Sequence, residues 1–424
     1  MVKPIRIHWI ILLPLILVLL PSNSRSKEKP FRPKFGEFPP LEKAHSYKGE
    51  LTFVDHANRR GSIRIDGDGR FRFAAPSPFA LLPYGLVRYH GSPADLRDIP
   101  LGTVMYAKAY LPPDPKISSV PVLPLDNRKK KYGYAGTGVA PAENHIFLFE
   151  DEPSYCKRLG FVWKLKEINL NKDLGIVTAR RESKSGNEDV HKETFSIDTA
   201  TRFWRGKEHL HLNDLIEEKV LPENGVQSLN DQSVLLGISW KPTTGGVFKR
   251  FHISDVWLDE LAMERASRIQ NESHKTFVKS RWMPGWVDEV EYGKFGRAKV
   301  TVTLFGGMDQ SLYTDFKKGQ KAMLASSENT LKHWAGGTAG TAQMASKGIL
   351  LEVSKTQKGV PLGSSGIQLS LETDLVTEGL RPGKVIRIRP ESWPLLQVPR
   401  EEYIHHNRDG IEKRFPTPDI FPKN

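Results

Sequence analysis

The sequence predicts a mainly β protein in which small antiparallel β-barrel modules follow one another along the chain. Short segments such as 62–66, 193–197 and 299–304 alternate apolar and polar residues. Such a strand has one apolar face, which must be buried against another sheet or inside a barrel. The same order of opening strand, glycine turn, alternating strand and closing strand also occurs three times. A recurring order of this kind indicates repeated modules.

The three copies are aligned by the glycines that end their first turns, Gly61, Gly175 and Gly296. Short strands separated by glycine turns favour a small Greek-key barrel of OB type. In the first two copies, a leucine, a polar residue, an aspartate and an apolar residue follow one another and predict a short helical turn before the closing strand. These segments are Leu96-Arg97-Asp98-Ile99 and Leu212-Asn213-Asp214-Leu215. The modules are expected to cover residues 48–112, 160–242 and 285–390, with a linker over 113–159.

One long helix is predicted inside the connecting segment 243–284, over residues 254–279. Ser254 or Asp255 can cap its first turn, because a short polar side chain accepts hydrogen bonds from free backbone N–H groups. Apolar residues at helical spacing predict a stripe that packs on a neighbouring barrel. That stripe consists of Leu258, Leu261, Ala262 and Ile269.

The first 26 residues have the three parts of a secretory signal peptide. Lys3 and Arg6 precede an apolar run over 7–20, and small polar residues follow. The run is shorter than the roughly 20 residues that span a bilayer, so we expect a cleaved signal, with an uncleaved anchor as the alternative. The mature chain is then expected in the periplasm, in the cell envelope or outside the cell, with no stable membrane span.

Two further segments flank the predicted modules. Residues 27–47 are polar and interrupted by prolines, which predicts an extended linker. Residues 391–424 are also rich in proline and predict an irregular or disordered tail.

The formal net charge is +13, and residues 1–26 contribute three of the cations and no acid. A basic exported protein can meet anionic polymers such as acidic glycans, although charge of this size also serves solubility. Cys156 is the single cysteine, so no disulfide can form within the chain. We expect a buried, inert thiol; a nucleophile or a bond to another chain are the alternatives.

A basic and aromatic cluster in the predicted linker 113–159 is the leading candidate for ligand binding. Four cations beside two tyrosines can hold a polyanion by charge and by stacking. The alternative is a solvated basic loop between two modules. The cluster consists of Arg128, Lys129, Lys130, Lys131, Tyr132 and Tyr134.

A second candidate is a metal site at His209 and His211, with Asp214 nearby. Two histidines at positions i and i+2 of a strand share one face, as two ligands of one metal would require. The alternative is an edge strand with polar histidines outside, because the nearby sequence offers no clear third ligand.

The chain lacks the sequence patterns of several common chemistries. There is no G-x-x-x-x-G-K-[ST] phosphate loop, no G-x-S-x-G elbow and no H-E-x-x-H pair. Over residues 48–390, the strand pattern resembles that of uncharacterised exported bacterial proteins built from tandem OB-like barrels. That resemblance implies the fold but no activity, and it identifies no cofactor.

Three functions are therefore expected in order. The first is a non-enzymatic module protein that binds an anionic polymer, a glycan or a partner protein at the cell envelope. The second is a structural scaffold without a ligand site. The third is a hydrolase whose catalytic residues are dispersed along the chain.

Overall fold

Three closed β-barrels follow one another along the chain, which confirms the mainly β fold class with tandem barrels. The computed structural model describes residues 31–34, 36–56, 59–66, 76–111, 145–183, 191–242, 249–325, 345–356, 358–374 and 380–394.

Barrel 1 is closed by five strands in the order β1-β2-β3-β6-β5, and a short strand, β4, pairs with the end of β3. Only β3 and β6 run parallel among the neighbours in this ring. This arrangement is a five-stranded Greek-key barrel of OB type. A 3-10 turn over Leu96–Asp98 precedes β5, as predicted. The strands are β1 (His45–Asp55), β2 (Arg60–Ile65), β3 (Ser77–Tyr89), β4 (Ser92–Pro93), β5 (Val104–Tyr110) and β6 (His145–Asp151).

Barrel 1 extends beyond the boundary of 48–112 that the sequence suggested. Its fifth strand, β6, lies inside 113–159, which was expected to be a linker, and β1 begins three residues earlier than expected. All seven residues of β6 are buried. A strand buried on both faces lacks alternation, so the pattern that found the other strands does not find this one.

Barrel 2 repeats the plan of barrel 1, with five strands in the order β7-β8-β9-β13-β12 and a parallel contact between β9 and β13. Helix α1 (Glu152–Leu159) leads into it, and helix α2 (Leu212–Glu217) precedes β12. Two short strands, β10 and β11, extend the sheet beyond β13. The strands are β7 (Phe161–Asn171), β8 (Leu174–Ser183), β9 (His191–Asp198), β10 (Arg202–Arg205), β11 (Glu208–Leu210), β12 (Asn224–Pro242) and β13 (Lys249–Trp257).

The strand β13 corrects two expectations about the segment 243–284. It closes barrel 2, so this barrel does not end at residue 242. The long helix, α3 (Glu260–Arg281), therefore starts later than expected, and Asp259 caps it by accepting a hydrogen bond from the Ala262 N–H at 2.8 Å. Asp255 instead lies on β13 and pairs with Arg202 at 2.7 Å. Closing the barrel takes precedence over the local helix signal.

The predicted apolar stripe of α3 is also wrong in part. Leu261 is 69% exposed and Ile269 is 60% exposed. The helix instead buries Gln270, His274 and Arg281 together with three apolar residues. It lies between the loops of all three barrels, so its inner face meets polar groups rather than the inside of one barrel.

Barrel 3 has six strands, all antiparallel, in the closed order β14-β15-β18-β17-β16-β19. A short helix, α4 (Gln310–Thr314), follows β15. The predicted range of 285–390 differs from the observed module by only two residues. The strands are β14 (Met283–Tyr292), β15 (Ala298–Phe305), β16 (Lys321–Ala325), β17 (Ser346–Lys355), β18 (Ser364–Thr373) and β19 (Val385–Pro390).

Part of the predicted linker 27–47 packs against the barrels. The ring of Phe38 lies 4.2 Å from that of Trp286 in barrel 3, and the Tyr110 hydroxyl of barrel 1 donates to the Pro40 carbonyl at 2.8 Å. This aromatic cluster joins barrels 1 and 3, so the described residues from 36 onward form a strap rather than a free tether.

The ends of the chain are described only in part. Trp393, at the start of the predicted tail, is buried and donates through Nε1 to Asp315 at 2.8 Å. The predicted signal at 1–26 and residues 395–424 lie outside the described residues. Among the residues that are described, no helix combines the length and apolar character needed to cross a bilayer.

A buried carboxylate joins barrel 1 to barrel 2 through α1. Glu152 is fully buried and accepts hydrogen bonds from the Tyr106 hydroxyl at 2.6 Å and from Trp163 Nε1 at 3.0 Å. Arg181 Nη1 lies 3.3 Å from the same carboxylate. The thiol of Cys156 also donates to Glu152 at 3.3 Å, and burial raises its pKa well above the usual value. The expectation of a buried cysteine is confirmed.

Replacing Glu152 by Gln should lower the free energy of unfolding by about 3–5 kcal/mol, because the buried charge of Arg181 then loses its counter-charge. Urea unfolding of the two proteins measures the difference. As the matched control, Glu208→Gln removes a carboxylate from an exposed ion pair with Arg205 and should have a far smaller effect. Equal effects of the two substitutions would contradict a joining role for Glu152.

Asp151 predicts a pH dependence of stability. Its buried carboxylate accepts hydrogen bonds from the backbone N–H groups of His90 and Ser154, but burial outweighs them and raises its pKa to about 7. Between about pH 4 and this value, the folded protein binds more protons than the unfolded chain does. The contribution of Asp151 to the free energy of unfolding therefore falls as the pH rises, by up to roughly 4 kcal/mol.

In an Asp151→Asn variant, residue 151 cannot bind or release a proton. The pH-dependent contribution of this residue to the free energy of unfolding should therefore be absent from the variant. The difference in unfolding free energy, wild type minus variant, should fall steadily from pH 4.5 to pH 7.5 in urea titrations. A difference that stays constant with pH would show that Asp151 titrates normally in the folded protein.

Candidate functional site

A cleft of about 880 Å³ lies between the outer face of barrel 2 and helix α3, and we call it the α3 cleft. Its volume falls within the range of small-ligand sites. The barrel wall comes from β7, β8, β12 and the end of β13, while α1 and β4 contribute one residue each. The lining consists of Ser92, Lys157, Phe161, Val162, Lys164, Glu182, Ser183, Ser233, Val234, Leu235, Trp257, Asp259, Glu260, Met263, Glu264, Ser267, Arg268 and Asn271.

Strand alternation places the barrel-wall side chains in the cleft. Trp163 and Leu165 point into barrel 2 and are buried, so Val162 and Lys164 point outward from the same strand. Lys164 also donates to the Ser233 hydroxyl on the neighbouring strand β12. The hydrogen bond holds the lysine against the barrel wall.

Helix α3 forms the wall of the cleft that lies opposite barrel 2. The α3 residues that line the cleft are separated by three or four positions, so they share one face of the helix. The exposed apolar residues Leu261 and Ile269 are absent from this lining. The cleft-facing residues of α3 are Glu260, Met263, Glu264, Ser267, Arg268 and Asn271.

The cleft combines hydroxyl, amide and charged groups of both signs over an apolar floor. Lys157, Lys164 and Arg268 supply the cations, while carboxylates come from the barrel and the helix. Phe161 and Trp257 belong to the floor. Such a lining suits a ligand with many hydroxyl groups and few charges, because hydroxyl groups pair with carboxylates, amides and cations alike.

A row of three cations continues from the cleft across the outside of barrel 2, and we call it the cation row. The register pairs Lys164 with Arg180 and Arg180 with Lys192, so the three side chains stand on the adjacent strands β7, β8 and β9. These are the first three strands of the barrel, and OB barrels bind oligosaccharides and oligonucleotides on the face of strands two and three. Lys164 belongs to both the row and the cleft, so the two surfaces are continuous.

The cation row places like charges side by side on the outside of barrel 2. Like charges directly opposite on neighbouring strands destabilise a sheet. Arg180 forms an ion pair with Glu182, and Lys192 is exposed. The hydrogen bond from Lys166 and the charges of Arg180 and Lys164 lower the pKa of Asp231, so this carboxylate compensates part of the row. The row is a candidate surface for an anionic ligand.

The hydrogen-bonded pair of Lys164 and Ser233 is the arrangement in the cleft that most resembles a catalytic group, because a lysine can serve as the base for a serine nucleophile. The described residues of the cleft lining include no histidine, cysteine or tyrosine. Both carboxylate oxygens of Asp259 accept backbone hydrogen bonds, from Gly206 at 2.7 Å and from Ala262 at 2.8 Å. This carboxylate stabilises the start of α3.

The predicted metal ligands are brought together, and among the described residues no third ligand joins them. His209 stacks on Trp204 with ring centroids 4.6 Å apart, and His211 lies at the same distance from His209. His211 is the N-cap of α2 rather than a strand residue, and the Asp214 carboxylate accepts a hydrogen bond from its backbone N–H at 2.6 Å. In the described part of the chain, no group of three potential metal ligands forms.

The predicted basic cluster of Arg128, Lys129, Lys130, Lys131, Tyr132 and Tyr134 lies outside the described residues. Segment 112–144 connects β5 to β6, so it interrupts barrel 1 between its fourth and fifth strands instead of linking two modules.

The ends of that segment are anchored at one rim of barrel 1. Tyr110 at the end of β5 pairs with His145 at the start of β6, and His145 also pairs with Ala80 of β3. Ala80 in turn pairs with Arg60, the first residue of β2, which follows the turn between β1 and β2. Two loops of barrel 1 therefore start at the same rim. In OB barrels the loops between strands one and two, and between strands four and five, contact ligands.

Neither the α3 cleft nor the cation row is evident from the amino-acid sequence. The row joins residues from three strands, and only the register brings them together. The one sequence signal was a cation at an outward position in each alternating strand. Residues 260–271 were assigned to the helix, but their partner across the cleft was not evident.

Comparisons with protein-family models, with characterised proteins and with solved structures find no match to this chain. The resemblance to exported proteins with tandem OB-like barrels therefore stays an expectation.

Proposed function

We propose that this chain is a non-enzymatic binding protein that holds an acidic glycan on barrel 2. The glycan lies across the cation row and enters the α3 cleft. The observation that carries the proposal is the row of Lys164, Arg180 and Lys192 on adjacent strands beside a hydroxyl-rich cleft.

The dimensions and charges of the two surfaces favour a glycan over a more highly charged polymer. Neighbouring strands lie about 4.8 Å apart, so the row spans roughly 10 Å and matches a short segment with more than one acidic group. Inside the cleft, Glu260 and Glu264 face the ligand from α3. These carboxylates would repel the dense phosphates of a nucleic acid, but they accept hydrogen bonds from sugar hydroxyls.

The expected location agrees with this ligand class. A signal peptide at 1–26 would direct the mature chain out of the cytoplasm, where acidic glycans are found on cell surfaces. A structural scaffold and a hydrolase remain the alternatives, and the binding experiment separates them. A scaffold does not bind the glycan, and a hydrolase shortens it.

Replacing Lys164 and Lys192 by Ala should weaken binding of a hyaluronan hexasaccharide, a glycan with one carboxylate per disaccharide, and flatten its salt dependence. Each cation that neutralises an anionic group releases counterions, so log Kd depends less steeply on log salt by roughly one to two in this double variant. Isothermal titration calorimetry at several NaCl concentrations measures both quantities.

The matched control is Lys317→Ala with Lys318→Ala, which removes the same charge from an exposed site on barrel 3. The control should bind as the wild type does. Equal losses in both double variants would mean that only net charge matters, which contradicts a site on barrel 2. Release of shorter saccharides during the titration would favour the hydrolase.

The predicted basic cluster supplies a second test, because the segment 112–144 that contains it follows β5 and precedes β6 of barrel 1. If it contributes, replacing Lys129, Lys130 and Lys131 by Ala should weaken hyaluronan binding and flatten the salt slope. Replacing Tyr132 and Tyr134 by Ala should weaken binding and leave the slope unchanged, because stacking releases no ions. Binding that is indifferent to all five substitutions would restrict the site to barrel 2.

A further inference from the structure

A cavity of about 330 Å³ lies inside barrel 2. Its wall consists of side chains from the strands of the barrel, from α2 and from the turn that follows α2. Leu165, Val177 and Ile253, from three different strands, are each at most 6% exposed, so the cavity lies within the core of the barrel. It shares only Asp259 with the α3 cleft and no residue with the cation row.

The wall of the cavity is apolar. Its described residues are all aliphatic or phenylalanine except Arg205, Gln232 and Asp259. Arg205 and Gln232 are exposed, and both carboxylate oxygens of Asp259 accept backbone hydrogen bonds. The polar groups therefore belong to the rim, and the described wall offers few hydrogen bonds to an enclosed water molecule. A cavity of this kind stays dry.

A dry void of this size reduces the stability of the fold. Side chains around a void lack contacts on one side, and the loss grows with the volume of the void. The volume here is more than twice the roughly 150 Å³ of an apolar cavity that binds benzene. A hydrocarbon group that enters would supply the missing contacts, so the cavity favours an apolar ligand.

The wall of barrel 2 is interrupted beside the cavity. β12 pairs with β7 up to Ser228 and again from Gln232, so three residues of β12 stand opposite one residue of β7. Leu229, the first of the three, lines the cavity and is only half-buried. Val220, in the turn after α2, also lines the cavity and is 48% exposed. Gln227 of β12 donates to the Val220 carbonyl at 3.2 Å, so the turn adjoins the interrupted strand. A ligand can reach the cavity from solvent at this point.

The charges at the rim favour a ligand whose head group is uncharged. Among the described residues of the lining, Arg205 is the only cation, and it forms ion pairs with Glu208 at 3.1 Å and with Glu218 at 2.9 Å. Together with Asp259, three carboxylates accompany this one guanidinium. A further carboxylate would be repelled, whereas a hydroxyl group can donate a hydrogen bond to the carboxylates.

We propose that barrel 2 binds one alkyl chain in this cavity, with an uncharged, hydroxyl-bearing head group at the rim. An alkyl chain is narrow enough to pass a local interruption of one strand pair, and its polar end stays in water. A free alcohol and a neutral glycolipid share this chemistry. The site lies inside the barrel that carries the proposed glycan surface, and it does not depend on that surface.

The test is calorimetric titration of the full-length chain with 1-hexanol, 1-heptanol and 1-octanol, with octanoate as the charged comparison. No glycan is present, so failure of the function proposed above does not affect the result. Each additional buried CH₂ should lower Kd roughly fourfold. We expect one alcohol per chain, a melting temperature that rises with its concentration, and octanoate binding that is on the order of tenfold weaker.

Octyl glucoside, below its micellar concentration, distinguishes the two sources of the chain. Binding as tight as that of 1-octanol supports a neutral glycolipid, because the sugar then stays outside the cavity. Weaker binding of octyl glucoside supports a free alcohol.

Substitutions at the opening locate the ligand. Val220→Trp should weaken 1-octanol binding by on the order of tenfold, because the indole covers the opening. The matched control is Val226→Trp, since Val226 is also exposed but does not line the cavity. Leu229→Phe adds volume within the cavity, so it should weaken 1-octanol binding and raise the melting temperature of the free protein.

Three results would overturn the proposal. The first is the absence of saturable 1-octanol binding to the wild type. The second is equal affinity for 1-octanol and octanoate, which contradicts the role of the rim charges. The third is equal binding in Val220→Trp and Val226→Trp, together with a Leu229→Phe variant that binds as the wild type does.

Discussion

The buried carboxylate of Glu152 fixes the relation of barrel 1 to barrel 2, and the candidate site depends on that relation. It is held by Tyr106 of barrel 1 and by Trp163 and Arg181 of barrel 2, so one group is shared by both. Apolar surfaces tolerate sliding, whereas a buried charge requires partners at defined distances and angles. Helix α1, which carries Glu152, also supplies Lys157 to the α3 cleft. The same contacts that join the barrels therefore position part of the cleft.

Helix α3 joins the third barrel to the first through side-chain hydrogen bonds. Its Gln270 side chain donates to Asp98 of barrel 1 at 3.0 Å, and Asn271 donates to Asp309 beside barrel 3. A helix that packs against a single barrel would bury an apolar stripe, as the sequence suggested. This helix contacts the loops of several barrels, where backbone and side-chain polar groups are concentrated, so it buries amides, an imidazole and a guanidinium instead.

The sequence was sufficient to predict the fold class, because alternation and glycine turns are local signals that recur in each barrel. It was insufficient where a strand is buried on both faces, as in β6, or where closing a barrel competes with a helix signal, as at Asp255 in β13. The candidate site was less predictable than the fold. Lys164, Arg180 and Lys192 are far apart in the chain, and only the register of β7, β8 and β9 aligns them.

The α3 cleft is held open by contacts that do not involve a ligand. Ser267 of α3 is hydrogen bonded to Ser92 of barrel 1 at 2.6 Å between hydroxyls, which anchors the helix wall. The barrel wall is anchored separately, because Thr103 of barrel 1 forms a bridge with Ser239 of β12. With both walls fixed to barrel 1, a ligand need not order the cleft before it binds, and a preorganised site loses less free energy on association. Lys164 is likewise held in place by its hydrogen bond to Ser233. A glycan bound as we propose would therefore meet a surface that is already formed, and its affinity would depend on the match of charges and hydroxyl groups along the ligand.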